Sequence, residues 1–382
     1  MRILNVNSSL GLRLGGGTAE RTYQMSRFLG NQANVQCTVL TLDIDLTTER
    51  LQGLFPAYCV VLPCFWGRFY VPRAGWNAIN RLVLNADVIH LMGHWSVLNA
   101  FVYFAAKRFH KPYVVCPAGS LPIFGRSATL KRIYNFLVGN AIIRNASTCI
   151  AVTDSELPHF EEYGVDPGMV VVIPNGVNQS DFPITDKQLF LNKYRLSNAP
   201  IILFMGRLNP IKGPDLLLEA AIKIAAQATT FQLVFVGPDG GLLSQLVHTA
   251  ARSGLSGRVH FLGYLSGLDK VAAYRCASLL VVPSRQEAMS IVAIEAGICG
   301  TPVLLTDQCG FGGIRELDPR LEVPATVDAL ANGLMQILFN VDFLAKIAPM
   351  WNNFVLHRFT WNVIGPFYLA LYKRIKLERG DI

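Results

Sequence analysis

Short apolar runs alternate along this chain with longer segments whose apolar positions recur every three or four residues. Arg2 to Asn7 (RILNVN) predicts a strand, apolar at Ile3, Leu4 and Val6. The glycine-bearing loop SSLGLRLGGGTA follows, then an amphipathic helix from about Ala19 to Leu29 with Tyr23, Met25 and Phe28. Further strands are predicted at Val35 to Leu42, Ala57 to Pro63, Asp87 to Met92, Pro112 to Cys116, Ser147 to Thr153 and Val170 to Ile173, with helical segments between them. The polar stretch Asn175 to Asn198, broken by Gly176 and Pro183, reads as a linker. The rhythm then restarts, with strands at Pro200 to Met205, Phe231 to Val236, Val259 to Leu262, Leu279 to Val282 and Pro302 to Thr306. The tail, Thr360 to Leu377, is aromatic with helical period.

This repeated strand–helix order predicts an α/β fold: two doubly wound parallel sheets, with ligands at the carboxyl ends of the strands. The expected division is an N-terminal lobe at 1–180, a linker at 181–198 and a C-terminal lobe at 199–359. The tail at 360–382 is assigned to the first lobe.

The loops after these strands hold the candidate chemistry. Gly15, Gly16 and Gly17 let a backbone approach a ligand closely, since no Cβ intrudes. They do not form G-x-G-x-x-G, so a dinucleotide site is weakly supported. In the second half Arg207 and Lys212 flank the loop after Pro200 to Met205. Two cations at one loop can hold a diphosphate, Arg through a bidentate fork and Lys as a point charge. After Leu279 to Val282 comes PSRQEAMSIVAIEAG, with a helix expected from Ala288 to about Ile298, Glu287 at its mouth and Glu295 two turns in. A helix start at a strand's carboxyl end suits an anion, and ionised carboxylates accept hydrogen bonds from hydroxyls. Phosphate beside hydroxyls is the outline of a nucleotide sugar.

Composition narrows the picture. At 51% hydrophobic residues over 382 positions the chain is globular, not disordered. Its eight cysteines contain no C-x-x-C pair and no zinc spacing, which predicts free thiols in a reducing compartment. MRILNVN is too short an apolar run for a signal peptide, and no stretch approaches the ~20 apolar residues that span a bilayer, so a cytoplasmic protein is expected. The net charge of +8 is concentrated. Between Cys64 and Arg144 stand Arg68, Arg73, Arg81, Lys107, Arg108, Lys111, Arg126, Lys131, Arg132 and Arg144 against Asp87 alone, interleaved with Phe65, Trp66, Phe69, Tyr70, Trp76, Phe124, Tyr134 and Phe136. Such a surface suits anionic lipid headgroups or a diphosphate-bearing acceptor; a solvated basic face is the plain alternative. No nucleic-acid motif is present, so no nucleic-acid partner is expected.

G-R-L-x-P-x-K-G, followed by P-S-R-x-E and, after seven residues, E-A, resembles the retaining glycosyltransferases of family 4 (glycosyl transferases group 1). The similarity covers essentially the whole chain, through the glycine loop, D-V-I-H, I-P-N-G-V and F-T-W before the final helix. The resemblance implies a GT-B fold: two Rossmann-like lobes facing a central cleft, with the last helix crossing back to the first lobe. It implies that Arg207 and Lys212 bind the donor pyrophosphate, that Glu295 takes the ribose hydroxyls and Glu287 a sugar hydroxyl. The backbone at Met289, Ser290 and Ile291 would cap the phosphate, Gly16 and Gly17 would approach from the other lobe, and Tyr264 would lie by the base. No metal or other cofactor is implied. Two departures stand out. The family's second histidine slot is filled by Met92, with His94 two residues on; since positions 90, 92 and 94 share a strand face, His94 is expected to project into the cleft. Second, EAMS stands where EGFG is more usual. The implied activity is transfer of a sugar from a nucleoside-diphosphate sugar to an acceptor hydroxyl, the acceptor being a lipid-linked or lipopolysaccharide-type saccharide. A nucleotide-sugar epimerase of the same fold and an inactive sugar-nucleotide-binding subunit are the alternatives.

Overall fold

The computed structural model describes residues 1–11, 15–66, 70–123, 127–227 and 230–380. Leu12, Arg13, Leu14, Arg68, Phe69, Phe124 and Arg126, named above as loop, basic or aromatic positions, lie outside them, as does the side chain of Trp66. The chain forms two compact units, Met1–Gly176 with Trp361–Ile382, and Val177–Thr360.

In the first unit seven strands form one parallel sheet. Its order is Tyr58–Leu62, Gln36–Leu42, Arg2–Val6, Val88–Met92, Tyr113–Cys116, Thr148–Ala151 and Val170–Val172. Strands such as Val88–Met92 are buried at every position, as expected where helices cover both faces of a parallel sheet. The chain builds outward in one direction from Arg2–Val6, then returns to its other side with Val88–Met92. The two strand ends at this reversal are where open α/β sheets bind ligands. A small antiparallel pair, Cys64–Trp66 with Val71–Pro72, was not predicted, because strands this short leave no readable period.

The second unit repeats the scheme with six parallel strands: Val259–Gly263, Gln232–Val236, Ile201–Met205, Leu279–Val282, Val303–Thr306 and Glu322–Val323. Here the reversal falls between Ile201–Met205 and Leu279–Val282. The rings of Phe204, Phe235 and Phe261, one from each of three neighbouring strands, follow one another at 5.5 and 5.1 Å between centroids. The two doubly wound sheets predicted from the sequence are present.

Two stretches differ from the reading. The segment taken as linker carries the helix Lys187–Tyr194, whose start is capped by the Asp186 carboxylate accepting from the amides of Gln188 and Leu189. Lys193 and Tyr194 both reach Asp269, at 2.6 and 3.1 Å, so the polar stretch is packed on the second unit. The first helix starts at Gly16, not Ala19, so two of the three glycines form its first turn.

The tail forms the helix Trp361–Gly380 within the first unit. Its anchor is Arg21, a cation buried to 1% exposure. Arg21 donates to Asn175 Oδ1 at 2.6 Å, to the Ile173 carbonyl at 2.7 Å and to the Tyr368 hydroxyl. One helix turn on, Tyr372 bonds His90 Nδ1 at 2.7 Å. Tyr368→Phe removes one acceptor from a buried cation without opening a cavity. It is expected to cost about 2 kcal/mol, read as a lower thermal midpoint; an unchanged midpoint would show that this bond does not hold the tail.

Candidate functional site

In the second unit the two strand ends at the reversal come into direct contact. The loop after Ile201–Met205 runs to Gly213, which has φ +67, and a Cβ there would lie 2.0 Å from the Pro283 carbonyl oxygen. Only glycine lets these segments close so tightly. Across that contact Lys212 Nζ meets Glu287 Oε1 at 2.6 Å, and the buried Ser284 hydroxyl donates to Glu287 Oε2 at 3.0 Å. Lys212 and Glu287, predicted to act on one ligand, are therefore side by side. Arg207 is exposed on the same loop, its stem passing over Gly240.

A second pair holds these loops in place. The Arg285 guanidinium grips Asp215 in a bidentate fork at 2.9 and 2.6 Å and donates to the Pro210 carbonyl at 2.6 Å. Its backbone amide donates to the Ile211 carbonyl at 2.8 Å. Arg285 thus fastens the loop that carries Lys212 to the segment that carries Glu287. The sequence reading quoted Arg285 within its motif but gave it no task.

The helix after Glu287 spans Ile291–Ile298, three residues later than predicted. The Glu287 amide donates to the Gln308 carbonyl, and Gly310, with φ +60, leaves no room for a Cβ beside the Ala288 carbonyl. That contact holds Ala288 in a loop. Met289 and Ser290 are buried, Ile291 opens the helix, and the Ser290 side chain makes no cap bond to the first-turn amides. A helix start without a side-chain cap keeps amide donors for an anion.

Glu295 is 3% exposed, so it is no surface helix residue. Lys270 Nζ meets its Oε1 at 2.6 Å and the Tyr274 hydroxyl donates to its Oε2 at 2.6 Å. Both partners come from the helix Gly267–Cys276 and escaped the sequence reading. Tyr264 follows the edge strand Val259–Gly263 and is half-buried.

In the first unit Gly16 and Gly17 are exposed at the start of a 15-residue helix. Across the sheet reversal Ser8 and Ser96 share a hydroxyl–hydroxyl bond of 2.5 Å. His94 corrects the reading. Its ring turns into the interior of this unit, 2% exposed, among the rings of Trp95, Tyr134 and Tyr163. Strand alternation does not extend past Met92, where the strand ends and Gly93 takes φ +74. Asn135 Oδ1 lies 2.8 Å from His94 Nε2, while Asn135 Nδ2 donates to the Tyr163 hydroxyl and that hydroxyl donates to the Leu121 carbonyl. This chain fixes the amide orientation, so His94 Nε2 carries the proton. Nδ1 is left as a buried acceptor with no partner. Burial pushes His94 down to about 4, outweighing the Asn135 bond, and burial with the nearby Arg21 pushes His90 down to about 3. Both rings are neutral at physiological pH.

Comparison with known proteins fits this arrangement. Residues 186–349 match the family described as glycosyl transferases group 1, and residues 15–181 match glycosyltransferase family 4. A D-inositol 3-phosphate glycosyltransferase from Frankia alni is 31% identical over 316 residues, 73% of this chain and 76% of the relative. One of the same name from Geodermatophilus obscurus is 29% identical over 262 residues, 62% of this chain. The chain spans little more than half the length of several such relatives, 57% for the Geodermatophilus protein. Among solved structures, Anabaena HepE in complex with UDP and glucose superposes with a TM-score of 0.79 at 19% identity, covering 98% of this chain and 100% of that one. Sucrose-phosphate synthase from Thermosynechococcus elongatus gives 0.77 at 22%, covering 98% and 99%. The chain belongs to the family 4 glycosyltransferases (glycosyl transferases group 1) and has their GT-B fold.

The neutral histidines set a pH dependence. Unfolded histidine binds a proton below about pH 6.5, whereas His94 in the folded chain does so only near 4. Below 6.5 the unfolded state therefore holds more protons, and stability falls as pH falls toward 4. His94 contributes at most about 3 kcal/mol to that fall. Urea unfolding from pH 7 to 4 should show a shallower loss for His94→Gln than for the native chain; parallel curves would mean that His94 is not buried neutral.

Proposed function

We propose that this protein is a retaining glycosyltransferase that moves a sugar from a nucleoside-diphosphate sugar to an acceptor hydroxyl. The observation that carries the reading is the contact of Lys212 with Glu287 at the sheet reversal of the second unit. Lysine has three N–H donors, and the bond to Glu287 uses one. It aims the ammonium while leaving donors for phosphate oxygens, and Arg207 on the same loop adds a second positive charge. The first-turn amides of Ile291–Ile298 complete the anion site. Each oxygen of Glu295 accepts one bond within the protein and has a lone pair left, which suits ribose hydroxyls. Glu287 takes a hydroxyl of the donor sugar, and Tyr264 borders the base. UDP and glucose in the HepE structure support a uridine diphosphate sugar as donor.

In this reading the bond from the anomeric carbon to the β-phosphate oxygen breaks as the acceptor oxygen bonds the same face. The acceptor proton passes to the departing phosphate. Lys212 and Arg207 stabilise the charge developing there, so the step uses no metal. His94, buried and neutral inside the first unit, takes no part in this step. The acceptor is a lipid-linked or lipopolysaccharide-type saccharide met by the basic first unit at the cytoplasmic face of the membrane. The likeness in fold to the lipopolysaccharide glycosyltransferase WaaG, at a TM-score of 0.66, supports that class.

Lys212→Ala and Glu287→Ala should each lower transfer by about a hundredfold or more while the chain stays folded. Transfer at native rates in both would reject the assigned site. Donor incubated without acceptor should yield no epimer; an epimer would make the protein an epimerase. A melting-point panel of UDP, GDP and ADP sugars reads the base directly, since a ligand that binds the folded state raises the midpoint.

A further inference from the structure

The helical stretch Ala128–Arg144 is apolar on both sides. It is α-helical over Ala128–Tyr134, widens to a π-helical turn over Asn135–Gly139 and resumes as α-helix over Asn140–Arg144. Its inner side buries Val138, Ile142 and Ile143. Its outer side presents Leu130, Ile133, Leu137 and Phe136, at spacings of three, seven and six, with exposures of 46, 49, 69 and 86%. Isolated exposed apolar residues are ordinary; four large ones on one helical stripe mark a contact surface.

The charge around the stripe says which kind. Between Val88 and Thr153 the sequence contains no Asp or Glu, and the described residues there include Lys107, Arg108, Lys111, Lys131, Arg132 and Arg144. Lys131 and Arg132 sit on the stripe's own helix, and the Lys131 ammonium lies 5.2 Å from the Trp95 ring centroid. A second copy of this chain would bring the same cations face to face. An anionic surface with an apolar layer beneath it meets both features at once.

We propose that Ala128–Arg144 is a bilayer-docking helix, lying in the plane of an anionic membrane with Phe136 and Leu137 beneath the headgroups and Arg132, which flanks the stripe, among the phosphates. The same helix holds Asn135 against His94 Nε2, and the Tyr134 hydroxyl donates to the Ser96 carbonyl at 3.0 Å. Docking therefore sets the membrane against the loop at this unit's sheet reversal. This deepens the acceptor side of the proposed function and rests on it for its purpose. The binding itself needs neither donor nor acceptor, so the two readings fail separately.

The test is co-sedimentation of the full chain with phosphatidylcholine vesicles, with and without phosphatidylglycerol. Binding is expected with the anionic vesicles and little without. Phe136→Ser with Leu137→Ser should lower it about tenfold or more, and Arg132→Glu about fivefold. Arg132, Phe136 and Leu137 are exposed, so circular dichroism and thermal midpoint should stay native. Equal binding to neutral vesicles, native binding by the Phe136/Leu137 variant, or a dimer that this variant dissolves would each overturn the proposal.

Discussion

The site depends on the closeness of two strand ends that lie far apart in sequence. Where a parallel sheet reverses its direction of growth, the carboxyl ends of Ile201–Met205 and Leu279–Val282 become neighbours with no connection between them. Whatever follows each strand must share that space. Gly213 against the Pro283 carbonyl is the steric result, and Lys212 against Glu287 the electrostatic one. A larger residue at position 213 would part the loops and leave a half-buried carboxylate without its cation. Packing and charge are therefore one constraint here.

The first unit obeys the same topology with different chemistry. Its two strand ends are joined by neutral groups, the Ser8 and Ser96 hydroxyls, and the nearby imidazole is held uncharged. The second unit collects charge, in Lys212, Glu287, Lys270, Glu295, Arg285 and Asp215.

What could be read in the sequence follows from the range of each interaction. Strands such as Leu279–Val282 are visible because their burial is continuous and local, and most predicted strands differ from the observed ones by one or two residues at an end. Arg207, Lys212, Glu287 and Glu295 were visible because their spacing forms a motif. Arg285–Asp215 and Lys270–Glu295 were not, since their partners lie 70 and 25 residues apart on separate elements. The helix Lys187–Tyr194 was hidden by its polar face, whose Lys193 and Tyr194 meet Asp269 from a distant part of the chain. His94 was misread because alternation was carried one step beyond the strand, where Gly93 turns the chain.

The pairing of Lys212 with Glu287 and of Lys270 with Glu295 would be self-defeating if the pairs were meant to be broken by ligand. Their geometry argues otherwise. A carboxylate that uses one lone pair per oxygen, and an ammonium that uses one of three hydrogens, remain competent partners. The internal bond removes only the rotational freedom that an unpaired lysine would have to surrender on binding. Arg285 works one layer out, its bonds to Asp215 and to the Pro210 carbonyl fastening the segments that carry Lys212 and Glu287. Without Glu287 and Asp215, the Lys212 ammonium and the Arg285 guanidinium would stand unpaired on adjoining loops and repel one another. The acids at 215, 287 and 295 are thus what allows the cations to wait in position.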